Sequence, residues 1–322
     1  MTPAPARHLE HRFTAMATPV VLRLLDPAPA APDALAAAVE AIHRVDTTCS
    51  RFRDDSDLSA VNRDPGAWHP VAPEFSAAVA TAEIAHELTG GLVDPRILDD
   101  LERLGYDVDW SLVLPDGDAP VAPRGVLHRR RPPFRAEHAP GRVRLDGCRI
   151  DLGGVAKGLA VQTAARLLAP SAAGGLVEAG GDLAVVGDGP DDGLWNVAVE
   201  DPLARGLDGD AVAVLAVRDR GVTTSSVRHR SWRRAGRRVH HLIDPRTGEP
   251  GGAGLAAVTV VHPDAALAEA WSKALFLTGA DGIAGAARAA EIAALWVGAD
   301  GALGASEEIR PHLLWSRDVV AA

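Results

Sequence analysis

The stretch Asp151-Leu-Gly-Gly-Val-Ala-Lys157-Gly158 stands where one structural pattern ends and another begins. Before it, residues 143–152 alternate apolar and polar side chains around an Asp-Gly turn, which predicts a β-hairpin. After it, apolar residues between 161 and 168 recur at helical spacing. The two glycines free the backbone, and exposed N–H groups at a helix start attract anions, phosphates above all. The stretch predicts a strand–turn–helix unit with an anion site, although the spacing of a Walker loop is absent.

The patterns on either side of this stretch predict an α+β fold rather than a strict βαβ alternation. In the first half, helices are expected from about residue 33 to 45 and from Pro73 to the Gly90-Gly91 pair. In the second half, strands are expected at 176–178, 183–186, 195–199, 212–217, 257–261 and 293–297, and helices at about 265–278 and 283–290. A Pro/Arg-rich segment near 107–142 is expected to be irregular, as a surface insertion or a boundary between lobes.

Composition sets the broad class of the protein. The chain has 322 residues, 47% hydrophobic, with a formal net charge of −10. This excludes disordered and collagenous chains and argues against a chain-wide nucleic-acid surface. No apolar run is long enough for a membrane span, and the N-terminus has no signal segment or lipid-anchor cysteine. Two cysteines predict neither a disulfide framework nor a zinc site, so a cytoplasmic protein without a membrane anchor is expected.

Lysine use is unusual, because only Lys157 and Lys273 are lysines among 33 basic residues. Lys157 falls in the predicted first turn of a helix, where the helix dipole disfavours a cation. A lysine costs little there only if an anion is bound beside it. The alternative for this segment is a plain glycine turn with a solvated lysine.

Three further motifs combine turns with polar side chains. Residues 178–182 read as a strand followed by a Gly-Gly-Asp turn, which suits either a ligand contact or a tight hairpin. In residues 240–248, a histidine could shuttle a proton or contact a pyrophosphate, or the segment is a loop held by Asp and Thr hydrogen bonds. Adjacent strand residues point oppositely, so joint chelation by His240 and His241 is disfavoured. The arginine-rich residues 228–238 are interpreted as a solvated hairpin tip or a contact for an acidic protein partner, rather than a nucleic-acid patch.

Taken together, these segments resemble the ApbE family, the FAD:protein FMN transferases, over about residues 13–303. The resemblance is carried by Met16-Ala-Thr18, Ser50-Arg-Phe52, Ser56–Ser59 with Asn62, Gly90–Pro95, Asp151–Gly158, Gly180–Asp182, Thr224-Ser225 and His240–Gly248. It implies a single domain over 1–322 with an ApbE-like α+β fold, in which mixed or antiparallel sheets with flanking helices form two closely associated lobes.

The resemblance also implies an activity, the transfer of FMN from FAD to a Thr or Ser of an acceptor protein through a phosphoester, with release of AMP. FAD would then be a substrate, and the partners would be FAD and the acceptor protein. Catalytic roles fall to His241, Lys157 and Lys273. Residues expected to bind FAD are Met16, Phe52, Leu92, Val93, Asp94, Asp151, Lys157, Asp182, Thr224 and Ile243. The alternatives are an FAD pyrophosphatase giving free FMN and AMP, and a non-catalytic FAD-binding protein.

The main departure from the family pattern lies on a late helix. Family members carry Asp and Thr ligands for Mg²⁺ on a late helix, whereas the matching stretch here is Ala268-Glu269-Ala270-Trp271-Ser272-Lys273. An ammonium group cannot ligate Mg²⁺, which requires oxygen donors. Three hypotheses remain open: Lys273 supplies charge in place of the ion, Mg²⁺ binds through Glu269, Ser272 and the Gly154 carbonyl, or FAD is bound without turnover.

Overall fold

The structure, a computed structural model, describes residues 7–108, 116–117, 132–204 and 210–321. The helices are α1 (Ala31–Cys49), α2 (Asp57–Arg63), α3 (Pro73–Leu88), α4 (Leu98–Arg103), α5 (Ala156–Leu168), α6 (Ala265–Leu277) and α7 (Ala280–Ala290). The strands are β1 (His8–Ala15), β2 (Thr18–Pro27), β3 (His69–Pro70), β4 (Asp116–Gly117), β5 (Glu137–Ala139), β6 (Arg142–Arg144), β7 (Ala172–Ala179), β8 (Asp182–Gly187), β9 (Trp195–Glu200), β10 (Ala211–Val217), β11 (Arg220–Ser226), β12 (Ser231–Arg234), β13 (Arg237–His240), β14 (Ile243–Asp244), β15 (Glu249–Pro250), β16 (Leu255–His262), β17 (Ala293–Gly298), β18 (Leu303–Ala305), β19 (Leu313–Ser316) and β20 (Val319–Ala321).

A nine-stranded sheet forms the centre of the molecule, in the order β1-β2-β7-β8-β11-β16-β17-β18-β20. Neighbouring strands are antiparallel, except that β18 and β20 are parallel. Both faces of the central strands are buried, as β17 shows. Ala294 and Trp296 belong to the core on one face, and Leu295 and Val297 belong to the core on the other.

Two different layers cover the faces of this sheet. Helices α1, α5, α6 and α7 form one layer, with α5 packed against both α1 and α6. The small sheet β9-β10-β19 covers the opposite face, where its apolar side chains join those of β8 and β17. This arrangement confirms the predicted α+β class of antiparallel sheets with flanking helices. The single-domain assignment over 1–322 stays a prediction.

The prediction of a β-hairpin over residues 143–152 is wrong. Strand β6 pairs instead with β5 and with β3, and the tight turn falls at Gly141, whose φ is +65°. The reason lies in Asn62, whose side-chain amide accepts from the Ile150 N–H and donates to the Ile150 carbonyl, both at 2.8 Å. This amide takes the place of a strand partner, so residues 148–152 form no strand.

The predicted irregular segment near 107–142 lies largely outside the described residues, which omit 109–115 and 118–131. At its described end the prediction is wrong, because Glu137–Ala139 pairs with Arg142–Arg144. The predicted limits of the helix that begins at Pro73 are confirmed. Helix α3 begins at Pro73 and ends just before the Gly90-Gly91 turn.

None of the described helices combines the length and the apolar character that a bilayer crossing requires.

Close packing at Gly158 sets the distance between α5 and α6. A Cβ atom at this position would lie 2.4 Å from the Ala265 carbonyl oxygen and 2.7 Å from the Ala266 Cα. Gly221 on β11 meets the same turn, since its Cβ would lie 2.4 Å from the Ala265 Cα. The first turn of α6 therefore sits against backbone on two sides, which brings Glu269, one turn further along, next to the start of α5.

Gly158→Ala is expected to lower the free energy of unfolding by about 1–3 kcal/mol, because the new methyl group meets backbone that cannot rotate away. The matched control is Gly285→Ala on α7, where nothing lies within 4 Å of the added Cβ. That variant should gain about 0.5–1 kcal/mol from helix propensity. Urea unfolding of both proteins checks this, and equal stabilisation by the two changes would contradict the packing at Gly158.

Candidate active site

The turn that precedes α5 is held by Asp151. Its Oδ1 accepts from the Gly153 N–H at 2.8 Å, and its Oδ2 lies 3.0 Å from the Arg51 Nε. A Cβ on Gly153 would lie 2.9 Å from Asp151 Oδ1, so glycine suits this close approach. The predicted helix start is therefore present, and an arginine outside the motif fixes the carboxylate at its beginning.

Lys157, Asp182, Glu269 and Lys273 form a lysine–carboxylate cluster at the start of α5. Lys157 Nζ contacts Asp182 Oδ2 and lies 3.3 Å from Glu269 Oε1. Lys273 Nζ lies 2.9 Å from the same Glu269 oxygen, while Glu269 Oε2 accepts from the Gly158 N–H at 2.8 Å. The chain's two lysines thus share one fully buried carboxylate, and the formal charges of the cluster cancel.

Burial and neighbouring charges oppose each other in this cluster. Burial lowers the pKa of Lys157 to about 8, although Glu269 acts in the opposite direction and favours its charged form. Burial on its own raises the pKa of Glu269, but Lys157 and Lys273 outweigh it and hold that pKa well below its usual range. Glu269 is ionised at neutral pH, and Lys157 remains largely protonated.

A cavity opens beside the cluster and is lined by eight separate segments of the chain. Met16 reaches it from the β1–β2 turn, Phe52 from the end of α1, and His241 from the residue after β13. The site residues predicted from sequence that line this cavity are Met16, Phe52, Leu92, Val93, Asp94, Asp151, Gly154, Lys157, His241, Ile243 and Lys273. Residues far apart in sequence are therefore brought together as the prediction required.

Four predicted site residues are not placed at the cavity wall. Asp182 and Glu269 lie on the side of the lysines away from the cavity and form ion pairs with them. Thr224 shares a hydrogen bond of 2.9 Å with Thr259 on the neighbouring strand. Ser272 is buried on the inner face of α6, with its Oγ 2.7 Å from the Ser225 Oγ.

The donors around Gly154 do not suit Mg²⁺. Both oxygens of Glu269 are engaged by N–H or ammonium donors, and Ser272 Oγ donates to the Glu269 carbonyl at 2.9 Å. The aliphatic part of Lys273 runs past Gly154, where a Cβ would lie 3.9 Å from the lysine Cδ. Among the described residues, no three His, Cys, Asp or Glu side chains are grouped to hold a metal. A dication here would face two ammonium groups.

Asp94 shapes the cavity through a buried ion pair. Its carboxylate accepts from the Arg96 backbone N–H and from the Arg96 guanidinium, all at 2.9 Å. The Arg96 guanidinium also lies 5.7 Å from the ring centre of Phe134. These bonds fix the loop after α3, so Leu92 and Val93 are presented to the cavity by a rigid turn.

Arg51 lines the cavity and was not predicted as a site residue. Its guanidinium lies 4.1 Å from the ring centre of Phe52 and 4.5 Å from that of Tyr106. The side chain is 7% exposed, and within the described ranges its Nη2 is buried without a hydrogen-bond acceptor. Its position between Ser50 and Phe52 of a quoted motif is the signal that could have identified it.

His241 faces the cavity as a neutral imidazole. Burial lowers its pKa well below the ordinary value, and the positive charges of Arg230 and Lys273 lower it further. Its Nδ1 lies 3.3 Å from the Arg230 carbonyl oxygen. Because a carbonyl only accepts, Nδ1 carries the proton, and Nε2 is left as a proton acceptor. A neutral imidazole of this kind can accept a proton, and the acid/base role of His241 stays a prediction.

His240 points away from the cavity and packs edge-on against Phe276, with ring centres 6.0 Å apart. Burial, aided by the Arg238 charge, lowers its pKa from 6.5 to about 4. Between about pH 6.5 and pH 4 the unfolded chain binds a proton at His240 that the folded chain excludes. The free energy of unfolding therefore falls as the pH falls through this range.

We expect His240→Gln to reduce the stability lost between pH 7 and pH 5 by about 2 kcal/mol. The measurement is the urea midpoint at both pH values, in comparison with His8→Gln on the exposed edge strand β1. The control should keep the wild-type pH slope. An unchanged slope in His240→Gln would show that His240 is not the group excluded from protonation.

Comparisons with known proteins identify a family and related sequences. A model of the ApbE family matches residues 16–296. The FAD:protein FMN transferase of Treponema pallidum (strain Nichols) is 32% identical over 248 residues, covering 71% of this chain and 67% of that relative. The FAD:protein FMN transferase of Salmonella typhimurium (strain LT2) is 30% identical over 241 residues, covering 73% and 68%.

Solved structures show the same architecture. The ApbE protein from Thermotoga maritima has a TM-score of 0.80 at 25% identity, covering 97% of this chain and 100% of that chain. Pseudomonas stutzeri flavinyl transferase ApbE has a TM-score of 0.79 at 22% identity, covering 98% and 100%, which supports the fold alone. Because the family model spans well over half of the sequence, this chain belongs to the ApbE family.

Proposed function

We propose that this protein transfers FMN from FAD to a Thr or Ser hydroxyl of an acceptor protein and releases AMP. The observation that carries the proposal is the convergence of Met16, Phe52, the 92–94 loop, the start of α5, His241 and Lys273 on one cavity. The names of the related enzymes support the same reaction. The eleven predicted residues at the cavity wall are assigned to FAD binding or chemistry, and a cytoplasmic location stays a prediction of the sequence.

The reaction exchanges one phosphorus–oxygen bond for another. The acceptor hydroxyl oxygen attacks the phosphorus of the FMN half, and the bond from that phosphorus to the bridging oxygen breaks. The bridging oxygen leaves with AMP, and FMN becomes a phosphoester of the acceptor. His241 Nε2 takes the hydroxyl proton, since its Nδ1 is bound to the Arg230 carbonyl. The positive charge of Lys157 and Lys273 stabilises the charge that develops on the phosphate oxygens.

Of the three hypotheses for the metal position, the donor set favours Lys273 as a replacement for the ion. Its ammonium group lies 2.9 Å from Glu269 Oε1, and its aliphatic part runs past Gly154, where the family resemblance would place a cation. An ammonium group supplies one positive charge, whereas Mg²⁺ supplies two. Lys157 supplies the second positive charge at the site. We therefore propose turnover without a divalent ion.

Covalent flavin on the acceptor separates the proposed reaction from its alternatives. FAD is incubated with the protein and a peptide carrying an Asp-Gly-Ala-Thr acceptor motif, and flavin fluorescence is read on the peptide after denaturation. The same peptide with Ala in place of Thr is the control. Labelled Thr peptide supports a transferase. Free FMN and AMP without label support a pyrophosphatase, and bound FAD with neither product supports a binding protein.

A further inference from the structure

Arg230 differs from the other arginines of the 228–238 run in its position. It directly precedes β12 and lines the same cavity as Lys157 and Lys273. The hairpin tip lies further along, at Ala235 and Gly236, where both φ angles are positive. The solvated tip predicted from sequence therefore describes residues 233–237 but not Arg230.

The neighbouring arginines have protein partners. Arg228 donates to the Asp201 carbonyl at 2.6 Å, and Arg238 donates to the Ser231 Oγ at 3.1 Å. In the portion of the chain that the structure describes, the Arg230 guanidinium has neither a hydrogen bond nor an ion pair. A guanidinium costs free energy when it is brought to a partly buried wall without a counter-charge. An anionic ligand in the cavity would supply that counter-charge.

The charge of Arg230 acts on the reacting groups. Burial is the main cause of the lowered pKa of both Lys157 and His241; Arg230 is the next cause for His241, and for Lys157 it follows Lys273. Each lysine is paired with a carboxylate of its own cluster, Lys157 with Asp182 and Lys273 with Glu269. Arg230 therefore adds positive charge to the cavity that this cluster does not cancel.

We infer that Arg230 binds the pyrophosphate of FAD and stabilises the departing AMP phosphate, an inference that rests on the proposed function. A pyrophosphate diester carries two negative charges, and the planar guanidinium fork binds such oxygens through two parallel hydrogen bonds. Charge grows on the bridging oxygen as its bond to the FMN phosphorus breaks. Arg230 takes part in no covalent step and transfers no proton.

The test compares ligands with and without phosphate. Arg230→Met should weaken FAD binding by about 10- to 100-fold, and riboflavin binding should stay unchanged because riboflavin has no phosphate. Flavin fluorescence titration measures both. Arg237→Met, at a side chain 73% exposed on the tip, is the matched control and should bind both ligands as wild type does. Arg230→Lys should recover part of the FAD affinity, which excludes a folding defect as the cause.

Each other outcome overturns the inference. Unchanged FAD binding by Arg230→Met would show that the pyrophosphate lies elsewhere, while the wild-type transfer reaction would still stand. An equal loss of riboflavin binding would assign Arg230 to the flavin or to cavity structure. Absence of FAD binding by the wild-type protein would overturn the proposed function and this inference together.

Discussion

Lys273→Thr should make AMP release depend on Mg²⁺. The change removes one ammonium and leaves Lys157 facing two carboxylates, so the cluster gains a net negative charge and a hydroxyl donor. Without metal, loss of the fixed charge should lower kcat by about 10²–10³-fold. Added Mg²⁺ should restore much of that loss, because oxygen donors and negative charge favour the ion. Initial rates of AMP release with EDTA and with Mg²⁺ provide the measurement.

The control for Lys273→Thr is Lys273→Met, which removes the charge and provides no oxygen donor. It should lose activity to a similar extent and show no recovery with Mg²⁺. A wild-type enzyme that requires Mg²⁺, or a threonine variant that ignores it, would contradict the replacement of the ion by Lys273.

Lys157→Met should have the largest effect on both activity and stability. It leaves the buried Asp182 without its lysine, and the buried Glu269 with Lys273 alone. Breaking a buried ion pair from one side costs about 3–5 kcal/mol of stability. Turnover should fall by about 10²–10³-fold or more, because the lost charge faces the phosphate. Thermal unfolding and AMP release check the two effects.

A double variant separates the two effects of Lys157. Lys157→Met combined with Asp182→Asn removes one positive and one negative charge together, which should recover most of the lost stability. Activity should stay low, since the cation at the cavity wall is still missing. Recovery of activity in the double variant would show that Lys157 acts only by supporting the fold.

The local features of the fold could be predicted from the sequence. Helix α3 follows from Pro73 and the Gly-Gly stop, and the helix after the Asp151–Gly158 stretch follows from apolar spacing. These features depend on near neighbours along the chain. The failed hairpin at 143–152 depended on a distant one, since Asn62 lies 88 residues from Ile150.

The contacts that the site residues make with one another could be identified only from the fold. The rarity of lysine singled out Lys157 and Lys273, but their shared carboxylate, Glu269, lies 112 residues from Lys157. Arg230 belongs to a run of arginines that look alike in the sequence. Only the fold shows that Arg230 lines the cavity while the later arginines lie at the exposed hairpin tip. The spacing of residues in the sequence does not reveal which arginine of the run lines the cavity.

AMP release from FAD by the wild-type protein in EDTA, with the threonine acceptor peptide present, tests most directly whether the enzyme transfers FMN without a metal ion. We predict AMP in amounts equal to the flavin bound covalently to the peptide, and no increase when Mg²⁺ replaces EDTA. Bound FAD without AMP, in EDTA and in Mg²⁺ alike, would contradict the account.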